Sequence, residues 1–249
     1  EPQPSIEVEP IDTEARRDEW GIPSVAGRLS EWGGACALHS EVDQLGQPTE
    51  LINKLFKVDV VEAYSPPRVP LGAKKFALKP GEAWDLTTGW DFTRQDHRDK
   101  AEKYVDEEKP LVLIGSPPCT AFSSIQALSR HRGTDSERRR AHAEALTLLG
   151  FAVDIYREQL DAGRHFVHEH PAHARSWHMN EVRKRMRMKE VTLIEADQCM
   201  FGLTDDRGIP IRKATRMLVP NCSCFAWWLG YKCDGSHEHA ETVGRGTLL

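Results

Sequence analysis

The feature that most constrains the fold is a repeated pattern: a short apolar run that ends at proline. The three runs are "VDVVEAYSPP" (58–67), "LVLIGSPP" (111–118) and "RHFVHEHP" (164–171). Each has the length of a buried strand, and the prolines force a loop after it. Amphipathic helical patterns at 94–108 and 136–163 separate the runs. This alternation predicts an α/β fold, a doubly wound and mainly parallel sheet with helices on both faces.

Weaker patterns complete the predicted domain organisation. "GEAWDLT", "KEVTLIEAD" and "IRKATRMLVP" are predicted as further strands, and "RVPLGAKKFALK" as a short helix. We expect four parts: an acidic tail or linker, an N-terminal helical segment, the α/β domain, and a small C-terminal Cys/His-rich knob. Their predicted bounds are 1–20, 21–56, 57–220 and 221–249.

Composition narrows the class of protein and its expected environment. With 39% hydrophobic and 29% charged residues, the chain is typical of globular domains. It contains no apolar run near the roughly 20 residues of a membrane span, and no membrane partner is expected. The six cysteines lack the spacing of a secreted disulfide framework, so an intracellular, reducing compartment is expected, with the nucleus as one option.

The chain carries a net charge of −5, yet its basic residues are clustered. The clusters lie at 129–140, 183–189 and 212–216. They can form a local surface for a polyanion, or they can be ordinary solvated helix surface.

Chemically capable side chains follow the predicted strands, where ligands bind in parallel sheets. Cys119 comes directly after two prolines that restrict the backbone, as suits a nucleophile, although a small buried cysteine is the alternative. Glu169 ends an apolar run, where a carboxylate needs a partner or a task. It is either a general acid or one side of an ion pair. The flanking His168 and His170 are interpreted as hydrogen-bonded structural imidazoles.

The segment "GSPPCTAFS" resembles the Pro-Cys motif of the C5-cytosine methyltransferases, which often reads Pro-Pro-Cys-x-x-Phe-Ser. Cys119, Phe122 and Ser123 match it. "FVHEHP" resembles the Glu-Asn-Val strand of that family, with Glu169 at the glutamate and His-Pro in place of Asn-Val.

Two further observations extend this resemblance. "MFGLTDDRGIPIRKATRML" is similar to the family's Gly-x-Pro and paired-arginine motif, with Arg216 and Arg212 at the basic positions. The motifs occur in the family's order over about residues 58–220. The combination also resembles divergent methyltransferase-like modules in retroelement polyproteins.

The resemblance implies a Rossmann-like S-adenosylmethionine-dependent methyltransferase fold and a reaction. Cys119 would add to C6 of cytosine, Glu169 would contact N3 and the amine, and Arg216 would contact the base carbonyl or a phosphate, with Arg212 alongside. The partner would be nucleic acid, with DNA favoured over RNA, and the base would be flipped out of a duplex. Residues expected to contact nucleic acid are Ser123, Arg130 and Arg132.

The cofactor site departs from the family, because "YSPP" stands where Phe-x-Gly-x-Gly is usual. Asp85 is expected to hold the ribose hydroxyls, with Asp91 as the second acidic candidate. Trp84 or Trp90 is expected beside the adenine, although core packing is the alternative. The remaining expected cofactor contacts are Glu62, Tyr64, Ser65 and Pro117.

The C-terminal segment "NCSCFAWWLGYKCDGSHEH" offers five ligands suited to zinc, which takes four. Alternatively, its histidines contact nucleic acid and its cysteines are buried. Cys199 is predicted to be packed, outside this set. The predicted metal ligands are Cys222, Cys224, Cys233, His237 and His239.

Little chain follows the paired arginines, so target readout must come from the Cys/His segment or from a partner, and the chain can belong to a larger polyprotein or complex. Two other functions stay open. One is a catalytically silent nucleic-acid-binding module of the same fold. The other is a cysteine hydrolase that pairs Cys119 with His168 or His170.

Overall fold

Six strands form one sheet within the described residues, and five of them run parallel. In the computed structural model these residues are 56–122, 134–186, 188–221, 225 and 228–240. The order across the sheet is β2-β1-β3-β4-β6-β5, and β6 runs antiparallel to both of its neighbours. The prediction of a mainly parallel α/β sheet is confirmed. The strands are β1 Val60–Ala63, β2 Pro80–Trp84, β3 Val112–Gly115, β4 His165–Pro171, β5 Val191–Asp197 and β6 Ala214–Pro220.

Helices connect the parallel strands. The described helices are α1 Val69–Ala73, α2 Gln95–Glu108, α3 Asp135–Asp161 and α4 Asn180–Met186. The long α3 begins at a capping box, in which Thr134 and Glu137 satisfy each other's backbone amides. The short α4 lies in a segment for which the sequence predicts no separate helix. No helix among the described residues has the length and apolarity needed to cross a membrane.

Several predicted features lie outside the described residues. They are the tail 1–20 and nearly all of the helical segment 21–56, together with Ser123, Arg130, Arg132, Cys222 and Cys224.

Side-chain alternation along the strands builds a core on each face of the sheet. Leu113, Phe166 and Leu218 belong to the larger core, which also contains buried residues of α2 and α3. On the opposite face, Val167 and Met217 belong to a smaller cluster. Each strand of the sheet's centre is therefore anchored on both sides.

The chain reverses direction across the sheet beside β1. From β1 it passes to β2 on one side, and it then returns to β3 on the other side. The carboxyl ends of these strands stay joined past their last residues, because Ser116 N donates to Ala63 O (3.2 Å) and Tyr64 N donates to Trp84 O (2.7 Å). Crevices at such reversal points are the usual ligand sites of open α/β sheets.

Candidate functional site

The loop after β3 holds Cys119 through contacts with β4. His170 is almost fully buried at 1% exposure, and its Nε2 donates to the carbonyl oxygen of Pro117 (2.7 Å). Its Nδ1 lies 2.5 Å from Ser176 Oγ. On the other side of the cysteine, Phe122 N donates to Cys119 O (2.9 Å), and the Phe122 ring is buried. The half-buried thiol is therefore carried by a loop that is pinned at both ends.

The Glu169 carboxylate lies at the end of β4 and is held from β6 and from the chain around it. Thr215 Oγ1 donates a short hydrogen bond to Glu169 Oε1. Lys213 Nζ lies 3.9 Å from the same oxygen, and Gln198 Nε2 lies 3.5 Å from it. The side chain of Glu169 keeps 19% exposure, so a polar ligand can still reach it.

The charge of the Glu169 carboxylate acts on the Cys119 thiol. Burial raises the pKa of the Cys119 thiol, the Lys213 ammonium lowers it, and the Glu169 carboxylate raises it. The structure therefore brings together a thiol, a carboxylate and an ammonium at the carboxyl ends of two adjacent strands, β3 and β4.

The two histidines beside Glu169 point into the core. Burial lowers the pKa of both rings, and His168 is shifted further below its ordinary value than His170. His168 Nδ1 lies 3.4 Å from the Tyr156 hydroxyl, whereas its Nε2 has no hydrogen-bond partner among the described residues. The lowered pKa values favour the neutral form of both imidazoles, and both rings pack in the core.

The structure places the two arginines apart from Glu169. Arg216 stands opposite His170 in the register, whereas Glu169 stands opposite Met217, so the two side chains leave opposite faces of the sheet. Arg216 Nε pairs with Glu195 Oε1 (2.6 Å), which lowers the pKa of Glu195.

Arg212 Nη2 lies 3.5 Å from Asp197 Oδ2. An open groove of about 430 Å³ has both arginines in its lining, together with Lys232 and His173. This groove, rather than the Cys119–Glu169 pair, is where the two arginines meet.

Three expected cofactor residues shape the loop after β1. The Glu62 carboxylate accepts hydrogen bonds from the backbone amides of Arg68 (2.9 Å) and Val69 (2.8 Å), which open α1. Tyr64 adopts a left-handed φ of 64°, and its hydroxyl donates to Leu148 O (2.7 Å). Burial raises the pKa of this phenol. Ser65 Oγ donates to the Pro66 carbonyl (3.2 Å). The Glu62 carboxylate therefore already has two partners in the chain.

The segment after β2 exposes one apolar side chain. Asp85 caps a short turn, accepting from Thr87 N (2.9 Å), and Asp91 accepts from Thr93, which lowers the pKa of Asp91. Trp84 is fully buried at 0% exposure and Trp90 keeps 8%, so both rings pack in the core. Leu86, directly after Asp85, is 74% exposed. It is the apolar surface available beside this carboxylate.

Four ligand-type side chains meet near the end of β5. The ligand atoms of Cys199, Cys233, His237 and His239 all lie within 4.8 Å of one another. Three of them were predicted as ligands. Cys199, which was expected to be packed outside this set, lies with the other three because the turn after β5 carries its sulfur to the cluster. Nothing in the sequence indicates this grouping, because Cys199 is far from Cys233 along the chain.

No protein-family model matches the chain, and a search of curated proteins finds no similar sequence.

Proposed function

We propose that the protein transfers a methyl group from S-adenosylmethionine to C5 of cytosine in nucleic acid, with DNA favoured, on a Rossmann-like methyltransferase fold. The observation that carries the proposal is the meeting of Cys119 and Glu169. The thiol and the carboxylate project from neighbouring strand ends, and the charge of one acts on the pKa of the other.

Cys119 is the nucleophile in this proposal. Its thiolate attacks C6 and forms a C–S bond, and the π electrons of the C5–C6 bond move to C5. C5 would then take the methyl group as the methyl–sulfur bond of S-adenosylmethionine breaks and S-adenosylhomocysteine leaves. The C5 proton then leaves to a base, its electron pair restores the C5–C6 double bond, and the thiolate is expelled. The pinned loop presents the sulfur in one position, so little ordering is needed at each turnover.

Glu169 is the group that holds the pyrimidine, through N3 and the exocyclic amine. A carboxyl group at this position can hydrogen-bond both groups of the ring edge. Burial raises the pKa of the Cys119 thiol, and the nearby Lys213 ammonium lowers it, which favours the reactive thiolate.

The carboxyl end of the sheet beside β1, where the chain reverses direction, is the proposed cofactor site. S-adenosylmethionine, when bound, supplies an electrophilic methyl group. Asp85 lies at the carboxyl end of β2 and would hold the ribose hydroxyls, and the exposed Leu86 offers an apolar surface for the adenine. Asp91 and Ser65 stay secondary candidates. Glu62, already bound to two backbone amides, acts by shaping the loop.

The structure gives less support to the hydrolase alternative. A cysteine hydrolase needs a histidine that can take the thiol proton. Both ring nitrogens of His170 have other partners, at Pro117 O and Ser176 Oγ. His168 is fully buried with its ring against Tyr156. The silent nucleic-acid-binding module is the second candidate, and the raised pKa of the Cys119 thiol is the observation in its favour.

The test combines covalent trapping with product analysis. The full chain is incubated with labelled S-adenosylmethionine and with cytosine-containing DNA or RNA, and the nucleosides are analysed by mass spectrometry. A parallel reaction uses 5-fluorocytosine, which lacks the C5 proton and therefore traps the adduct on Cys119. We expect Cys119→Ser to abolish adduct and product, and Glu169→Gln to reduce both at least tenfold.

Glu107→Gln is the matched control. It makes the same carboxyl-to-amide change at an exposed ion pair on α2, with Lys103, and should leave activity unchanged. Absence of both 5-methylcytosine and the trapped adduct, with nucleic acid still bound, would establish the silent module instead.

A further inference from the structure

We infer that Cys199, Cys233, His237 and His239 form a closed, four-ligand zinc site that fastens the C-terminal segment to the end of β5. The ligands come from two places: one from the turn after β5, and three from a short run within 228–240. This site would be structural, and its presence does not depend on the proposed reaction.

The spacing of the ligand atoms fits a tetrahedral zinc ion. Zinc bonds of about 2.3 Å to sulfur and about 2.0–2.1 Å to nitrogen imply an S···N separation of about 3.6 Å across a tetrahedron. Cys233 Sγ lies 3.7 Å from His237 Nε2 and 3.4 Å from His239 Nε2. The largest separation among all four ligand atoms is within 4.8 Å, so small adjustments bring the set onto one ion.

The loop between the ligands is independently organised around the Cys233 sulfur. Asp234 Oδ1 accepts from Ser236 N (2.9 Å), and Gly235 takes a left-handed φ of 79°. This turn directs Gly235 N toward Cys233 Sγ (3.4 Å). An amide that donates to the sulfur stabilises a thiolate ligand, as is usual around metal-bound cysteines. The turn also returns the chain so that His237 faces Cys233.

Further bonds join this segment to β5. Asp197 N donates to Tyr231 O (2.9 Å), and Asp197 Oδ2 accepts from Cys233 N (2.9 Å). Four protein ligands leave no open coordination position, which is the arrangement of structural rather than catalytic zinc. The ion would therefore complete an attachment that the backbone has already begun.

The first experiment measures metal content. The full chain is purified without chelators and its zinc is determined by plasma mass spectrometry. We expect one zinc per chain, lost in Cys199→Ser and in Cys233→Ser and retained in Cys119→Ser, the matched control. A Cys222→Ser/Cys224→Ser double variant should also retain it. Zinc that survives Cys199→Ser but is lost in the double variant would overturn the assignment.

A second measurement needs no variant. Cobalt replaces zinc, and the visible spectrum should show tetrahedral cobalt with thiolate ligands. Alkylation followed by peptide mass spectrometry should find Cys199 and Cys233 protected by zinc and exposed after chelation, with Cys119 unaffected. Equal alkylation with and without zinc, or an octahedral cobalt spectrum, would refute the site. A Cys199–Cys233 disulfide in the purified protein would do so as well.

Discussion

Gly115, the last residue of β3, has no room for a side chain. A Cβ at this position would lie 3.0 Å from Cζ of Tyr156 and closer still to its hydroxyl oxygen. The tyrosine cannot withdraw easily, because its ring is 3% exposed and stacks on Phe166 at 4.8 Å between centroids. Gly115→Ala must therefore push apart α3 and β3, immediately before the loop that carries Cys119.

The expected cost follows from overpacking a buried contact. Added methyl groups in packed cores cost about 1–3 kcal/mol, and each kcal/mol lowers the melting temperature by about 2–4 °C in a chain of this size. Tyr156→Phe removes the closest atom. In the double variant Gly115→Ala/Tyr156→Phe we therefore expect the alanine to cost at least about 1 kcal/mol less than it does alone.

Urea unfolding, followed by tryptophan fluorescence, gives the free energy of unfolding of the four proteins in this double-mutant cycle: the unmodified protein, the two single variants and the double variant. Gly150→Ala is the control, because no neighbour lies within 4 Å of its added Cβ and helical alanine is favoured over glycine by about 1 kcal/mol. It should stabilise the protein. If Gly115→Ala and Tyr156→Phe are additive within about 0.5 kcal/mol, the steric argument is refuted.

Three further predictions concern charge. Lys213→Met should raise the pKa of the Cys119 thiol and Glu169→Gln should lower it, as measured by the pH dependence of its alkylation rate; shifts in the opposite directions would contradict the assigned neighbours. Burial holds the pKa of His168 well below its ordinary value, so the native ring stays neutral while the unfolded ring binds a proton below about pH 6.5. Stability should therefore fall as pH drops through and below this value, by up to about 1.4 kcal/mol per pH unit from this group, and His168→Phe should show a shallower slope in urea titrations. Glu62→Ala leaves the two backbone amides at the start of α1 without their acceptor. It should lower the free energy of unfolding by about 1–3 kcal/mol, as measured by thermal or urea unfolding. An unchanged free energy of unfolding would show that water replaces the carboxylate.

Local sequence predicted the strands well because prolines mark where several of them end. The runs that contain β1, β3 and β4 each stop at a proline or a Pro-Pro pair. The structure ends β4 at its proline, and it ends β1 and β3 shortly before theirs. The position of β6 between β4 and β5 could not be predicted from these local patterns. Strand order depends on which apolar faces pack together, and period-two alternation within a single strand does not specify its neighbours.

The sequence likewise predicted part of the candidate site, namely the proximity of Cys119 and Glu169. Cys119 follows β3 and Glu169 lies near the end of β4, and one helical crossover joins the two strands. Their proximity therefore required only that β3 and β4 be neighbours. The burial of Trp84 was not readable, because a tryptophan at a strand end can face the core or a ligand. The left-handed backbone of Tyr64 was likewise not indicated by the local residues.

Gln198 and Cys199 join the two sites through adjacent positions in the chain. The Gln198 amide reaches Glu169, and Gln198 N donates to Lys213 O (3.0 Å), so this residue and its neighbours set the surroundings of the carboxylate. The next residue provides one of the four inferred zinc ligands. A metal that fixes Cys199 therefore restricts the backbone that positions Gln198 and Lys213 around Glu169. We expect a weaker effect of the metal on Cys119, because Cys119 belongs to a different loop. That loop is held by the hydrogen bond from His170 to Pro117.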